Sequence, residues 1–404
     1  MKILHVIPSI GPKRGGPSKA VLAMVKALRE CGVDTEIATI NDNGPYVLDV
    51  PFNQRIEYEG VPVWFFSKFS PQIQRFAFSV GADKGFIFST DLTRWLWQHV
   101  KDYDLIETHY IFSYASTCAG IFARWQGVPY VVRTIGQLAP WGLTQSRLKK
   151  QLYSLLIERH NLNNAAAIHC TSASEAEDVR NFGIKTPTIT LPLGVNQPIY
   201  LPDAKQKLHY LYEIPTDTPV VLFLSRLHYK KRPDLLVRSL GQLAAQDYNF
   251  HLILAGSGEP DYIDDLKNLI ASLGLSSQTS FTGFVTGDNK QLLLQGCDIF
   301  VLPSFSENFG IAVAEAMAVG LPVIVTPGVQ IAPEIAEARA GLVVEGEEDT
   351  LANAITQLLK SPELRQQLGK NGQNLANNRY SWNAIAQNLS TAYQSILAQK
   401  SIHK

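Results

Sequence analysis

At 404 residues the chain exceeds the size at which one hydrophobic core usually stops growing, so two domains are expected. Hydrophobic residues at 46% and charged residues at 18% supply ample core for an ordinary globular protein. Lys+Arg and Asp+Glu are equal at 36, which argues against a dedicated nucleic-acid binder, whose affinity rests on a basic excess.

In chain order, "KILHVIP" reads as a first strand, too short for the apolar region and cleavage site of a signal peptide. The helical pattern "PSKAVLAMVKALRECG" and the strand "DTEIATI" follow, and later "YDLIET", "VPYVVR" and "AAAIHC", with amphipathic stretches between them. A break comes at "LPLGVNQPIYLPDAK", rich in Pro and turn residues. Alternation restarts with "PVVLFLS", "FHLILAG", "TSFTGF", "CDIFVLP", "LPVIVTP" and "AGLVV". Apolar runs without strict alternation suit parallel strands covered on both faces. The pattern predicts an α/β chain of two Rossmann-like, doubly wound domains facing across a cleft, residues 1–196 and 197–379. An amphipathic helix over 380–404 is expected to pack back on the first. Cys31, Cys118, Cys170 and Cys297 are far apart and form no CxxC, so they read as small buried hydrophobes in a reducing cytosol. No stretch reaches about 18 uninterrupted apolar residues, so no spanning helix is expected and the chain reads as cytoplasmic. Peripheral membrane contact is left open.

Several short motifs carry chemistry. Gly15 and Gly16 lie between a strand and a helix, where backbone can approach an anionic ligand and the helix end favours it; a plain turn reads equally well. Gly256 and Gly258 in "AGSGEP" lack the third glycine of a dinucleotide fingerprint, since Asp261 stands in its place. Arg226 closes the first strand of the second half, and Lys230, Lys231 and Arg232 follow within a few residues. A strand end in such a sheet opens on the ligand crevice, where a guanidinium and an ammonium suit a diphosphate; the alternative is a solvated charge cluster. His109 also ends a strand, as a candidate contact for a polar ligand, against the commoner structural histidine. Asp102 and Asp104 have DxD spacing but precede their strand, at the wrong end for the crevice, and read as structural. In "SENFGIAVAEAMAVGLPVI", Glu307 lies just past a strand, Gly310 starts a helix, and Glu315 is about a turn and a half inside it. Two such carboxylates could accept from sugar or ribose hydroxyls, form an acid/base pair for glycoside hydrolysis, or merely complement a helix dipole.

Together these segments resemble the retaining glycosyltransferases of family 4, which have the GT-B fold. The resemblance runs in order along nearly the whole chain, through "ETHYIFSYAS", "RTIGQLAPWGL", "AAAIHCTSASEAEDV", "LPLGVN", "SRLHYKKRPDLL", "AGSGEPDY" and "GFVTGDNKQLLLQGCDIFVLPS" to the E-x7-E stretch. The resemblance implies that Arg226 and Lys231 hold the donor diphosphate, with Lys231 preferred over Lys230. Glu307 would contact hydroxyls of the transferred sugar, and Glu315 those of the ribose. Asn308, Phe309 and Gly310 would offer backbone to sugar and diphosphate, and His109 would sit by the donor sugar. Phe284 and Val285 would lie near the base, and Gly15, Gly16 and Gly256 in the donor-binding loops. Arg133 resembles a first-domain arginine of exopolysaccharide-type members, which implies a phosphate or acceptor role, although "RTIGQL" departs from the commoner "PRGML". "ENFG" similarly replaces the frequent "EGFG", and the Gly-Gly loop lacks the extended form of sucrose-phosphate synthases.

The implied reaction is metal-independent transfer of a hexosyl unit, with retention, from a nucleotide-diphosphate sugar to a saccharide or lipid-linked acceptor. The diphosphate sugar is a co-substrate, and no other cofactor is implied. UDP is the favoured base, with GDP-mannose, a sugar-nucleotide epimerase and a non-catalytic binder as alternatives. Neither the acceptor nor the oligomeric state is fixed by the sequence.

Overall fold

The structure is a computed structural model, and it describes residues 1–69, 87–140 and 157–402. The chain divides into two compact units: Met1–Gly194 with Trp382–Lys404, and Val195–Ser381.

The first unit is built on an eight-stranded sheet. In chain order its strands are β1 (Lys2–Ile7), β2 (Asp34–Ile40), β5 (Arg55–Tyr58), β6 (Val61–Phe66), β7 (Leu105–His109), β8 (Tyr130–Arg133), β9 (Ala167–Cys170) and β10 (Thr188–Thr190). A small separate hairpin, β3 (Asp42–Asn43) with β4 (Tyr46–Val47), follows β2. The spatial order is β10-β9-β8-β7-β1-β2-β6-β5. All neighbours are parallel except β5, which pairs antiparallel with β6. That edge hairpin was not expected from the sequence. Its turn residues Glu59 and Gly60 both have positive φ, 49° and 79°, the conformation a two-residue hairpin loop needs. The central strands are buried beyond their first residues, Ile3, Leu4, Val6, Ile37, Leu105 and Ile106 all having no exposure.

On one face of the sheet, helix Gly16–Glu30 packs beside helix Trp382–Ile402. Met24, Ala27 and Leu28 of the first share a cluster with Ala386, Leu389 and Tyr393 of the second, over Ile3, Leu105, Val131 and Ala167. Gly194 lies so close to Trp382 that a Cβ would meet the indole ring at 2.2 Å.

The second unit has six parallel strands: β11 (Val220–Leu224), β12 (His251–Ala255), β13 (Thr279–Gly283), β14 (Ile299–Leu302), β15 (Val323–Val325) and β16 (Gly341–Val343). Their order, β13-β12-β11-β14-β15-β16, reverses direction between β11 and β14, which makes that pair the switch point. Both units are thus doubly wound, as the alternation predicts. No cysteine is bridged; Cys170 and Cys297 are buried, but Cys31 and Cys118 are only half-buried, so just two of the four fit the expectation of buried hydrophobes. Among the described residues no helix is long and apolar enough to cross a membrane.

Candidate active site

In the second unit the loops leaving β11 and β14 are tied together at the switch point. The Lys230 carbonyl accepts from the Phe305 amide at 2.9 Å and from Ser304 Oγ at 3.1 Å. Arg226 is exposed just past β11, and the single turn Tyr229–Lys231 then leads through Arg232, at φ 54°, into helix Pro233–Ala244. The Lys231 ammonium contacts the Glu307 carboxylate, with side-chain exposures of 16% and 23%. Burial, then the neighbouring cations Lys230 and Arg226, push Lys231 down to about 7, while the Glu307 carboxylate acts in the opposite sense. Two residues 76 positions apart in sequence are therefore one half-buried pair at the carboxyl end of the sheet.

Glu307 is fixed through its backbone, its amide donating to the Gly328 carbonyl at 2.8 Å and its carbonyl accepting from Gln330 N at 3.1 Å. Gly328 must be glycine, since a Cβ would sit 2.4 Å from the Phe305 carbonyl. Gly310, at φ 83°, caps helix Ile311–Ala318, a conformation that favours glycine. Glu315 lies on this helix, half-buried, and pairs with Lys290 of helix Gly287–Gly296 at 2.6 Å. Lys290 was missed from the sequence. Its only signal was a lone cation on a helix beginning four residues after Gly283, at a strand end.

Two residues of the donor-side loops also have framework roles. Phe309, of which only the backbone was expected to meet ligand, is 2% exposed and packs edge-on against Tyr380, ring centroids 5.3 Å apart, so its side chain anchors the loop. A Cβ at Gly256 would meet the Ser225 carbonyl at 1.8 Å, so this glycine is required by the close passage of the β11 and β12 loops. Phe284, 69% exposed, and Val285 do lie at the open end of β13.

In the first unit Gly15 is the turn before helix Gly16–Glu30, at φ 84°. Nothing surrounds the position a Cβ would take at Gly15 or Gly16. The loop is fastened by Arg14, whose guanidinium makes 2.6 Å contacts with the buried Asp42, while Lys68 reaches the other oxygen at 2.9 Å.

His109 and Arg133, expected near ligand, are interior. His109 ends the central strand β7, has no exposed surface, and bonds His5 Nδ1 through Nε2 at 3.0 Å. Burial lowers its pKa well below the ordinary value and that of His5 to about 4, so both rings are neutral. Arg133 is 2% exposed, its Nη1 4.0 Å from Met24 Sδ and its Nε without a hydrogen-bond partner among the described residues. Glu107, two residues before His109 on β7, is bonded to His169 Nδ1 at 2.9 Å and to the Tyr393 hydroxyl. Burial, the largest single influence, would raise its carboxyl, but the interactions with His169, His5 and His109 together outweigh it and hold the group well below the usual range. The signal for this cluster was Glu107 itself, a charge inside a strand that the pattern buries on both faces.

His5, Glu107 and His109 also bring three potential metal ligands within 4.8 Å. Both Glu107 oxygens already accept hydrogen bonds, and Arg133 belongs to the same charged group, so the cluster does not suit a cation. Asp102 and Asp104 are structural as expected: Asp104 accepts from the Lys2 amide at 2.7 Å and Asp102 pairs with His99. Trp141 to Leu143, the end of the "RTIGQLAPWGL" segment, lie outside the described residues, as do residues 403 and 404 of the expected final helix.

Residues 15–194 match the glycosyl transferase 4-like domain, and residues 205–375 match the glycosyl transferases group 1 family. The D-inositol 3-phosphate glycosyltransferase 2 of Catenulispora acidiphila is 30% identical over 301 residues, covering 70% of this chain and 69% of its own. The D-inositol 3-phosphate glycosyltransferase of Stackebrandtia nassauensis is 26% identical over 313 residues, covering 74% and 70%. Among solved structures, Anabaena HepE in complex with UDP and glucose superposes with a TM-score of 0.76 at 21% identity, over 98% of this chain and 100% of that one. A sucrose-phosphate synthase from Thermosynechococcus elongatus gives 0.74 at 22%, over 99% and 100%. With both halves of the chain matched in order, and the cationic switch-point pair on a doubly wound unit, this chain belongs to the group 1 glycosyltransferases of the GT-B fold.

Proposed function

We propose that the chain transfers a hexosyl unit, with retention and without a metal ion, from a UDP-sugar to a hydroxyl of a saccharide or lipid-linked saccharide. The observation that carries this reading is the Lys231–Glu307 pair beside Arg226 at the β11/β14 switch point, where charge of both signs is held half-buried. Arg226 and Lys231 take the diphosphate, and the amide end of helix Ile311–Ala318 adds a positive dipole end. Glu307 accepts from hydroxyls of the transferred sugar and Glu315 from those of the ribose. The bond from the anomeric carbon to the diphosphate oxygen breaks while the acceptor oxygen bonds the same face. The leaving diphosphate takes the acceptor's proton, and its developing charge is stabilised by the two cations. Those cations fill the role a divalent ion would otherwise have, so turnover in chelator is expected. His109 and Arg133 are assigned to the framework of the first unit.

UDP is favoured because the structural neighbour HepE was crystallised with UDP and with UDP-glucose. A second acceptor class, a phosphate-bearing polyol, is favoured by the relatives named for D-inositol 3-phosphate. Thermal shift with UDP, UDP-glucose and GDP-mannose tests the donor, because a ligand of the native state alone raises its melting temperature. A shift with GDP-mannose and none with UDP compounds would replace UDP. Product analysis of donor alone and donor with acceptor, with the anomeric configuration read by NMR, separates transfer from epimerisation and retention from inversion.

A further inference from the structure

Ten non-glycine residues among those described have positive φ, and most are polar residues in surface turns. Three are not: Tyr110 at 73°, Phe112 at 53° and Ile135 at 49°. They are the aromatic and β-branched members of the set, for which this conformation is most unfavourable. All three lie in two adjacent loops, one leaving β7 after His109 and one leaving β8 after Arg133. Strain of this kind persists only where surrounding contacts over-determine it, and it concentrates at functional sites.

The contacts around Ile135 converge on one carboxylate, and those around Tyr110 and Phe112 on Gln137 and Glu158. Glu175, 1% exposed on helix Ala173–Asn181, accepts four hydrogen bonds. Oε1 takes Thr134 Oγ1 and the Gly136 amide, both at 2.6 Å, so it grips the two residues flanking Ile135. Oε2 takes the amide and hydroxyl of Thr171, at 2.7 and 2.8 Å, which ties the same group to the end of β9. The restraint continues through the next residue. Gln137 Oε1 accepts from the Ile111 amide at 2.7 Å, between the strained Tyr110 and Phe112. The Phe112 amide donates to Glu158 at 3.2 Å, and Ser116 Oγ to the His109 carbonyl at 2.6 Å.

We propose that Glu175 is a positioning residue for glycosyl transfer. It sets the Thr134–Gln137 loop, and through Gln137 the loop after His109, in the shape presented to the acceptor at the carboxyl edge of the first sheet. The proposal rests on the transferase reading, in which that edge of a doubly wound sheet meets ligand. Glu175 itself touches no reacting atom.

Glu175→Gln keeps the shape but turns an NH2 group toward one of the donor pairs, so two or more of the four bonds are lost. With wild-type donor and acceptor, kcat is expected to fall by about 10- to 100-fold, the range for small misplacement of reacting groups. UDP affinity by calorimetry should stay within about twofold, since its assigned ligands are in the second unit. Thr134→Val should lose about tenfold in kcat, and Thr134→Ser, which keeps the hydroxyl, should recover most of it. If Glu175→Gln folds poorly, Ile135→Gly is the second variant: glycine adopts φ 49° without strain, so the fold is retained while the loop loosens and kcat falls. Amide exchange at Gly136 and Ile111 should quicken in Glu175→Gln, a readout that needs no substrate. Unchanged exchange at both amides overturns the positioning role whatever the substrate proves to be. Wild-type kcat in a folded Glu175→Gln, or a loss confined to UDP affinity, also overturns it. A wild-type chain that turns over no sugar nucleotide refutes the transferase reading instead.

Discussion

The carboxyl edges of the two sheets solve the same problem with opposite materials. In the second unit the charged side chains are half-exposed, and the backbone beneath them is set by glycines at 256, 310 and 328, where neighbouring backbone or a required φ leaves no alternative. In the first unit the charged and imidazole groups are interior, the loops are strained at non-glycine residues, and side-chain carboxylates hold them. One edge is built to meet charge from outside, and the other to hold a shape. Variants in the two regions should therefore fail differently, the second unit losing chemistry without stability and the first losing stability without nucleotide affinity.

The largest expected effect tests the first half of that contrast. Lys231→Ala and Arg226→Ala should each lower transfer by about 10²- to 10³-fold, the range for removing one group that stabilises developing anionic charge. Their melting temperatures should stay near wild type. Wild-type rates in either variant would remove the diphosphate assignment. Tyr393→Phe probes the other side, because it deletes a hydroxyl that bonds the fully buried Glu107. A buried acceptor left short of a partner costs about 1–3 kcal/mol, so denaturant unfolding should show that loss while UDP affinity holds. If both fall together, the two regions are not separable.

A smaller effect comes from Glu158, whose carboxyl is pushed up to about 7 by burial, against hydrogen bonds from Thr117 and the Phe112 amide. A carboxyl raised in the fold contributes stability in full below its ordinary value of 4.5, and that contribution is lost as pH rises through about 7. Glu158→Gln keeps the neutral form at all pH. It should raise the melting temperature by a few degrees at about pH 8 and change little near pH 4.5; an equal shift at both values would contradict the assignment. The smallest effect should be the pH dependence of UDP binding. Lys231, at about 7 in the free protein, binds an anion best when protonated, so binding takes up a proton and affinity weakens several-fold from about pH 7 to 9. Calorimetry in buffers of different ionisation heat measures that uptake, and Lys231→Ala should abolish it.

The second unit was more legible in the sequence because its signals are local. A strand end, a basic pair and E-x7-E sit on short stretches whose register follows from helix and strand periods, so Arg226, Lys231, Glu307 and Glu315 could be placed at a sheet edge by counting. What could not be counted was which cation meets which acid, since Lys231–Glu307 and Lys290–Glu315 join segments 76 and 25 residues apart. In the first unit the same counting put His109 and Arg133 at strand ends correctly but said nothing of depth. Both belong to strands flanked by others on each side, and the buried cluster around them is completed by His5, His169 and Tyr393, which arrive from three distant segments. The side chain of Phe309 was beyond counting for a related reason: only its backbone was assigned from the sequence, and its ring meets Tyr380 from beyond the second sheet.

The return of helix Trp382–Ile402 to the first unit has a consequence for synthesis. Tyr393, Leu389 and Ala386 complete a cluster whose other buried members all precede Val195 in the chain. At ordinary translation speeds the segment 195–381 alone takes roughly 10 to 40 seconds to emerge. During that interval the nascent first unit lacks its closing helix, with Met24, Ala27 and Leu28 uncovered and the Glu107 carboxylate short of its phenol. The order of manufacture thus leaves a sticky, half-finished face on the ribosome, open to a chaperone or to the matching helix of a neighbouring nascent chain. Moving residues 382–402 ahead of Met1 by circular permutation would close that window.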